Sequence, residues 1–324
     1  MCKRSYFIVL ISREEGGRSK MSLNEGFDTT FLGEAFPIPF PRLREDIGQV
    51  ALEGGKVYPF THFSIVMNKV RKFAIYGANN TDKERDLQLR RCNNWHTDDR
   101  IGEGNQVGGW LYEGGQSDLW DRGHLVRRAD VGWGERDEAK DGDCDSFCFA
   151  NIAPQHKEFH HTKWGDIEGW IINQTKSKNK KFSIFTGPIF TENDREYCGY
   201  QKPLGCGIKI PAGFWKVAFY IGVDDRLHSV AFKILQDDYW RHNLKEEFRS
   251  STKNLLLEKM DVLTQYQVPL TTITEITGIQ FDEYLYETNP LYYHANAMTE
   301  RANIATPEAY IIRDQEDLIL DRST

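Results

Sequence analysis

W-D-R-G-H-L-V-R-R-A-D-V-G-W-G, residues 120–134, gathers three arginines around a single histidine, His124. The whole chain carries a net charge of −7, so this positive cluster runs against the overall balance. Histidine can act as a general base because its unperturbed pKa lies close to about 6.5. Arginine offers paired donors that stay charged and that match the geometry of phosphate. The stretch therefore predicts phosphodiester chemistry centred on His124.

A second block, N-I-A-P-Q-H-K-E-F-H-H-T-K-W-G-D-I-E at residues 151–168, leads into a predicted helix. Trp164, Ile167 and Ile171 recur there at the spacing of one apolar helix face. Before the first block, residues 81–120 are polar and rich in glycine. This composition predicts long loops, which in a compact domain tend to carry function. Between the two blocks, the acidic run Asp137–Asp145 is expected to be a solvated loop, and residues 147–150 are expected to form a short strand.

Apolar runs outside the two blocks predict buried strands. They lie at Phe63–Met67, Phe73–Tyr76, Phe182–Phe185, Phe214–Val223 and Leu227–Ile234. Asp224 and Asp225, between the last two runs, are a hairpin signal. Hairpin strands combined with few helices predict an α+β fold with a mainly antiparallel central sheet. We expect an N-terminal arm at 1–50, a main domain at 51–289 and a C-terminal extension at 290–324.

Composition and charge limit the class of protein. The hydrophobic content of 40% is ample for a core, and the net charge of −7 argues against a protein that coats nucleic acid through bulk charge. The six cysteines lack the paired spacing of a structural zinc site, so we expect reduced, buried thiols. No stretch approaches the roughly 20 apolar residues that span a membrane. Because no signal peptide is recognisable, we expect a cytoplasmic protein, or a secreted or periplasmic one if a leader precedes this sequence.

Three motifs occur in a characteristic order. D-R-G-H stands at Asp121–His124, N-x-x-P-Q begins at Asn151, and W-x-x-I-E lies at Trp164–Glu168. Together they resemble the DNA/RNA non-specific endonuclease family of the ββα-metal superfamily. Further matches are T-H-F-S-I-V-M-N-K-V-R-K from Thr61, L-V-R-R-A-D after the first motif, and I-P-A-G-F-W-K-V at Ile210–Val217. The resemblance covers roughly residues 58–287, and it implies a ββα-metal motif within the antiparallel fold.

The family's chemistry is hydrolysis of phosphodiester bonds in DNA and RNA, without sequence preference, with one divalent cation. The resemblance assigns His124 as the general base that activates water. It also implies catalytic roles for Glu168, Arg122 and a loop arginine, which is Arg91 or, as the other choice, Arg90. These residue types suit the reaction, because water must lose a proton as it attacks and the charge on phosphate must be neutralised.

The expected metal site departs from the family pattern at one position. Family members hold the cation chiefly by an asparagine eight residues before the glutamate, and here that position is His160. On a helix, His160 and Glu168 can project toward one side. The resemblance thus implies His160 as ligand and Glu168 as a contact through water, unless His161 or Asn151 substitutes or the site is weakened. Because imidazole favours transition metals over magnesium, we expect Mg²⁺ or Mn²⁺, with Mn²⁺ favoured.

Contacts to substrate are expected from Arg127, Arg128, Asn151 and His161. Ile172 stands where family members often place an arginine, so that phosphate contact is missing or is supplied by Arg127 or Arg128. Asn151 is also expected to secure the turn between strand and helix. Asp121 is expected to shape its loop rather than to bind metal.

Two other functions fit the same sequence. The chain could be a catalytically weakened, nucleic-acid-binding relative of the fold, since it departs from the family at His160 and Ile172. It could also be a phosphodiesterase that acts on a smaller substrate, an option that the negative net charge leaves open. The expected partner is DNA, with RNA as an open second partner, and no membrane is expected. Whether the protein also forms a homo-oligomer or binds a regulatory partner is left open by the sequence.

Overall fold

The computed structural model describes residues 25–112, 120–174, 177–197, 207–242, 251–292 and 309–320. The strands are β1 Arg42–Leu43, β2 Val57–Phe60, β3 Phe63–Met67, β4 Ala74–Asp82, β5 Trp120–His124, β6 Ile152–His156, β7 Lys181–Ile189, β8 Glu196–Tyr197, β9 Ile208–Lys209, β10 Gly213–Ile221, β11 Leu227–Leu235, β12 Tyr266–Gln267, β13 Ile279–Gln280 and β14 Tyr310–Ile311. The helices are α1 Glu45–Val50, α2 Arg128–Val131, α3 Arg136–Asp145, α4 Gly165–Gln174, α5 Tyr239–His242, α6 Thr252–Glu258, α7 Leu270–Thr277 and α8 Glu283–Tyr286, and a π-helical segment, Phe159–Trp164, precedes α4.

The largest sheet has the strand order β14-β12-β11-β10-β7-β4-β3-β2. Every neighbouring pair in it is antiparallel. The predicted hairpin is its longest continuous pairing, from Gly213↔Leu235 to Ile221↔Leu227. The expected α+β fold with a mainly antiparallel sheet is therefore confirmed.

Both faces of the central strands are buried. Along β10, Phe214 and Ala218 pack in one apolar cluster, whereas Trp215 and Val217 pack in the other. This alternation is the normal consequence of a strand whose successive side chains point to opposite faces. The first cluster, called here the site-side core, also contains residues of β5, β6 and α4. The second contains residues of α6, α7 and the segment before β1.

Two local predictions were wrong. The acidic run Asp137–Asp145, expected as a solvated loop, lies within α3. A capping box starts this helix, because the Glu135 and Glu138 side chains bind each other's backbone N–H groups. Residues 147–150, expected as a strand, lead into a 3-10 turn at Phe149–Asn151, and β6 starts only afterwards. Within the described ranges, none of the helices has the length and apolar character needed to cross a bilayer.

Candidate active site

A separate antiparallel hairpin, β5 with β6, carries the D-R-G-H motif. Its register runs from Trp120↔His156 to His124↔Ile152. Gly123 is needed in this hairpin because a Cβ there would lie 2.1 Å from Cδ of Gln155. The glycine of the motif therefore lets the Gln155 side chain lie across the strand next to His124.

His124 lies at the end of β5, between aromatic rings. The ring centroid of Trp95 is 5.5 Å away, and Phe147 approaches edge-on at 5.3 Å. Nε2 of His124 is buried and has no hydrogen-bond partner among the described residues. Burial, followed by the charges of Arg91, His160 and Arg128, lowers the pKa of His124 to about 3. The ring is therefore uncharged over the whole physiological pH range.

Two predicted arginines lie on the aromatic residues that surround His124. The Arg91 guanidinium lies over the Phe147 ring at 5.0 Å, and Arg122 lies over the Trp95 ring at 4.9 Å. Among the described residues, neither arginine forms an ion pair with a carboxylate. The structure thus brings Arg91 and Arg122 toward the predicted base with their charge available to an anion.

His160 is held by Asp121, a residue of the D-R-G-H motif itself. Nδ1 of His160 and Oδ2 of Asp121 are 3.0 Å apart. In a neutral ring, donation from Nδ1 to the carboxylate places the lone pair on Nε2. Histidines that bind metals commonly use their second nitrogen in this way. The role expected for Asp121, shaping its loop, thus extends to orienting His160.

The described residues contain no group of three or more His, Cys, Asp or Glu side chains arranged to hold a metal ion. A cation held by one imidazole and otherwise by water needs no such group. His160, oriented by Asp121, is the imidazole that such a site would use.

Glu168 is buried and contacts two positively charged side chains. Its Oε1 accepts a hydrogen bond from Nζ of Lys216 at 2.8 Å, and its Oε2 lies 3.4 Å from Nε of Arg127. Arg127 in turn forms two hydrogen bonds with Asp130. The Arg127 guanidinium therefore lies between two carboxylates, and the substrate-binding role expected for it stays a prediction.

Arg128 and Asn151 also have structural partners. Arg128 binds Asp143 at 2.7 Å, which reduces the charge that it can offer to phosphate. Asn151 is fully buried. Its Oδ1 accepts a hydrogen bond from Val126 N–H, and its Nδ2 donates to the carbonyl groups of Val126 and Ser146. These bonds agree with the role expected for Asn151 in securing the turn, and its expected substrate contact stays a prediction. The side chain of His161 lies outside the described part of the chain.

Three residues near the site were not predicted. Gln155 is buried, and neither polar atom of its side-chain amide has a partner among the described residues. Its position in N-x-x-P-Q was the available signal. Trp95, against His124, and Lys216, against Glu168, come from distant parts of the chain. Lys216 lies within the I-P-A-G-F-W-K-V match, but that match does not show which carboxylate the lysine meets, and Trp95 lies in none of the quoted motifs.

A disulfide fastens the loop that carries Arg91. Cys92 and Cys144 are bonded, with Cα atoms 5.2 Å apart, and Cys92 N–H donates to Asp143 at 2.9 Å. This corrects the expectation of reduced thiols for Cys92 and Cys144. Cys148 is a buried free thiol, as expected. The other cysteines lie outside the described residues.

Comparisons with known proteins agree with the motifs. A family model described as DNA/RNA non-specific endonuclease matches residues 47–288. The uncharacterized protein y4fB of Sinorhizobium fredii (strain NBRC 101917 / NGR234) is 33% identical over an alignment of 287 residues that covers 81% of this chain. The chain spans only 39% of the length of that relative. A crystal structure of the EndoG/EndoGI complex contains a chain with the same fold, at a TM-score of 0.50 and 15% identity, covering 73% of this chain and 89% of that one.

Proposed function

Because the chain belongs to the DNA/RNA non-specific endonuclease family, we propose that it is a metal-dependent endonuclease that hydrolyses phosphodiester bonds in DNA and RNA. One observation carries the proposal. Oδ2 of Asp121, in the same D-R-G-H strand as His124, lies 3.0 Å from Nδ1 of His160 in the second motif, so one strand carries both the proposed base and the residue that orients the proposed metal ligand. A proton acceptor thus lies beside a metal-binding type of side chain, which is what phosphodiester hydrolysis needs.

In this proposal, His124 takes the proton from the attacking water. With a pKa of about 3 in the free protein, the imidazole is uncharged but only weakly basic. Bound phosphate opposes the charges of Arg91 and Arg128, and a nearby anion favours the protonated form of histidine. Substrate binding therefore raises the basicity of His124 at the moment when it is needed.

His160 would hold the divalent cation, with Asp121 fixing the orientation of its ring. A bound cation would neutralise charge on the phosphate and on the departing oxygen. Glu168 lies on the helix that follows His160, and Lys216 and Arg127 hold its carboxylate in place. Arg91 and Arg122 would stabilise the remaining negative charge of the transition state.

Cleavage of plasmid DNA and of a long RNA by wild type, His124→Ala and His160→Asn tests this proposal. We expect His124→Ala to lose cleavage by about 100-fold or more while it stays folded and binds DNA, because a general base contributes roughly that much. Wild type should prefer Mn²⁺, and His160→Asn should shift the preference toward Mg²⁺, because an amide oxygen is a harder ligand than imidazole.

The same assay separates the alternatives. DNA binding without cleavage in any divalent cation would indicate the weakened, binding-only relative. Cleavage of a small phosphodiester that long DNA does not inhibit would indicate a smaller natural substrate. Full cleavage by His124→Ala would overturn the assignment of the base.

A further inference from the structure

Lys216 is a buried lysine whose contact with Glu168 can be tested separately from the other parts of the proposed site. It lies on β10, within the I-P-A-G-F-W-K-V segment, and only 2% of its surface is exposed. Nζ donates to Oε1 of Glu168 at 2.8 Å and lies 5.2 Å from the centre of the Trp164 ring. Burying a lysine is costly, so its position calls for a compensating partner. That partner is Glu168, on the helix next to the proposed metal ligand.

Glu168 keeps acceptor capacity after both contacts are made. A carboxylate has about four lone-pair positions, and Lys216 and Arg127 each face one of its two oxygens. The remaining positions can accept a hydrogen bond from water in the site. With two cations on fixed elements, the carboxylate has one preferred orientation instead of several rotamers.

We infer that Lys216 is a positioning residue, which fixes the Glu168 carboxylate in the orientation that the reaction requires. The inference rests on the proposed function. Lys216 is too deeply buried to touch nucleic acid, so its removal acts on the reaction through Glu168 and not through substrate binding. Loss of Lys216 therefore lowers kcat and weakens cation binding, while KM for DNA stays nearly unchanged.

The sheet offers a matched control in Lys233. This lysine lies on β11, is only 1% exposed, and neighbours Trp215 in the strand register. Trp215 belongs to the core on the other face of the sheet from Glu168. Lys233→Met thus removes a buried lysine from the same sheet without changing the site.

The experiment compares wild type, Lys216→Met, Glu168→Gln, the double variant and Lys233→Met. It measures kcat and KM for plasmid cleavage, and Mn²⁺ affinity from the electron paramagnetic resonance signal of free Mn²⁺. We expect kcat of Lys216→Met to fall by about 10-fold to 100-fold, because small misplacements of catalytic groups cost that much. The double variant should be no slower than Glu168→Gln, since both changes remove the same positioned group. Lys233→Met should keep wild-type kcat.

Three results would overturn the inference. The first is a double variant whose loss of kcat equals the product of the two single losses. The second is a Lys216→Met protein with wild-type kcat and Mn²⁺ affinity. The third is a folded Lys233→Met protein that loses as much kcat as Lys216→Met. If Lys216→Met does not fold, the comparison of Glu168→Gln with the double variant still tests the positioning role. The double variant is expected to fold, because it removes the lysine and the carboxylate charge together. If wild type does not cleave nucleic acid, the proposed function fails, and the Mn²⁺ affinities alone then test the positioning role.

Discussion

At the residue scale, the surroundings of His124 determine how the protein responds to acid. Its pKa falls from 6.5 to about 3, first through burial and next through Arg91. A lowered folded-state pKa means that the unfolded chain binds the proton more readily between these two values. The contribution of neutral His124 to stability is therefore complete above pH 6.5 and is lost as the pH falls toward 3.

We expect His124→Asn to lose less stability on acidification than wild type does. The difference should be about 2 kcal/mol between about pH 7 and pH 4, after allowing for the partial solvent contact of the ring. Urea unfolding at several pH values, in the presence of EDTA, measures it. Arg91→Gln should remove part of the same pH dependence, because it removes one cause of the shift. If the free energy of unfolding depended on pH in the same way for wild type and His124→Asn, the environment assigned to His124 would be contradicted.

Motif spacing predicted residues that lie close together but not all of their bonds. His124, His160 and Glu168 follow from the order and spacing of short motifs, whereas Arg91 comes from a looser match in the loop before them, with Arg90 as the other choice. The ion pairs of Arg127 with Asp130 and Glu168 could not be predicted from the sequence, because a motif arginine is the same letter whether it faces phosphate or a buried carboxylate. Only the fold decides which anion it meets.

At the element scale, the Arg91 loop depends on one covalent link and a few backbone bonds. Cys92–Cys144 joins it to α3, and His96 exchanges backbone hydrogen bonds with Phe147 and Phe149. The sequence predicted a long functional loop here but not how it is fastened. Helix α3 was missed because its acidic run lacks an apolar face, while its capping box and its contacts with α2 stabilise it.

We expect the double variant Cys92→Ser/Cys144→Ser to be less stable and less active. With a sequence separation of 52, loss of the link costs up to about 4 kcal/mol by the chain-entropy model. Cleavage should fall as well, because Arg91 and Trp95 are then held near His124 less firmly. Denaturant unfolding and plasmid cleavage, each with and without a thiol reductant, provide the measurement.

Reductant should make wild type resemble the serine variant and should leave that variant unchanged. Cys148→Ala is the matched control, because it removes a buried cysteine and keeps the disulfide. A wild-type protein whose cleavage rate is insensitive to complete reduction would show that the loop holds its position without the link.

At the scale of the whole molecule, the sheet was the most predictable feature. Its long central strands are apolar runs separated by turn residues, and strong hairpin pairing fixes their register. The short strand β12 and the edge strand β14 pair Tyr266 with Ile311 and Gln267 with Tyr310, far apart in sequence, and have no pattern of their own. Such pairings arise from the complete fold, so a local pattern could not have predicted them.

Charge distribution across the molecule gives a last prediction, on salt dependence. With a net charge of −7, the chain as a whole repels nucleic acid, so binding must rely on the few cations near His124. Among the described site arginines, Arg127 and Arg128 are paired with carboxylates, whereas Arg91 and Arg122 lie on aromatic rings.

If about two phosphates are neutralised, KM for DNA should rise only about tenfold from about 50 to about 200 mM salt. Arg91→Gln should lower the slope of log KM against log salt by about 1, whereas Arg226→Gln, in the exposed β10–β11 turn, should leave it unchanged. A wild-type slope of about 5 or more would show that nucleic acid meets a wider basic surface than these two arginines provide.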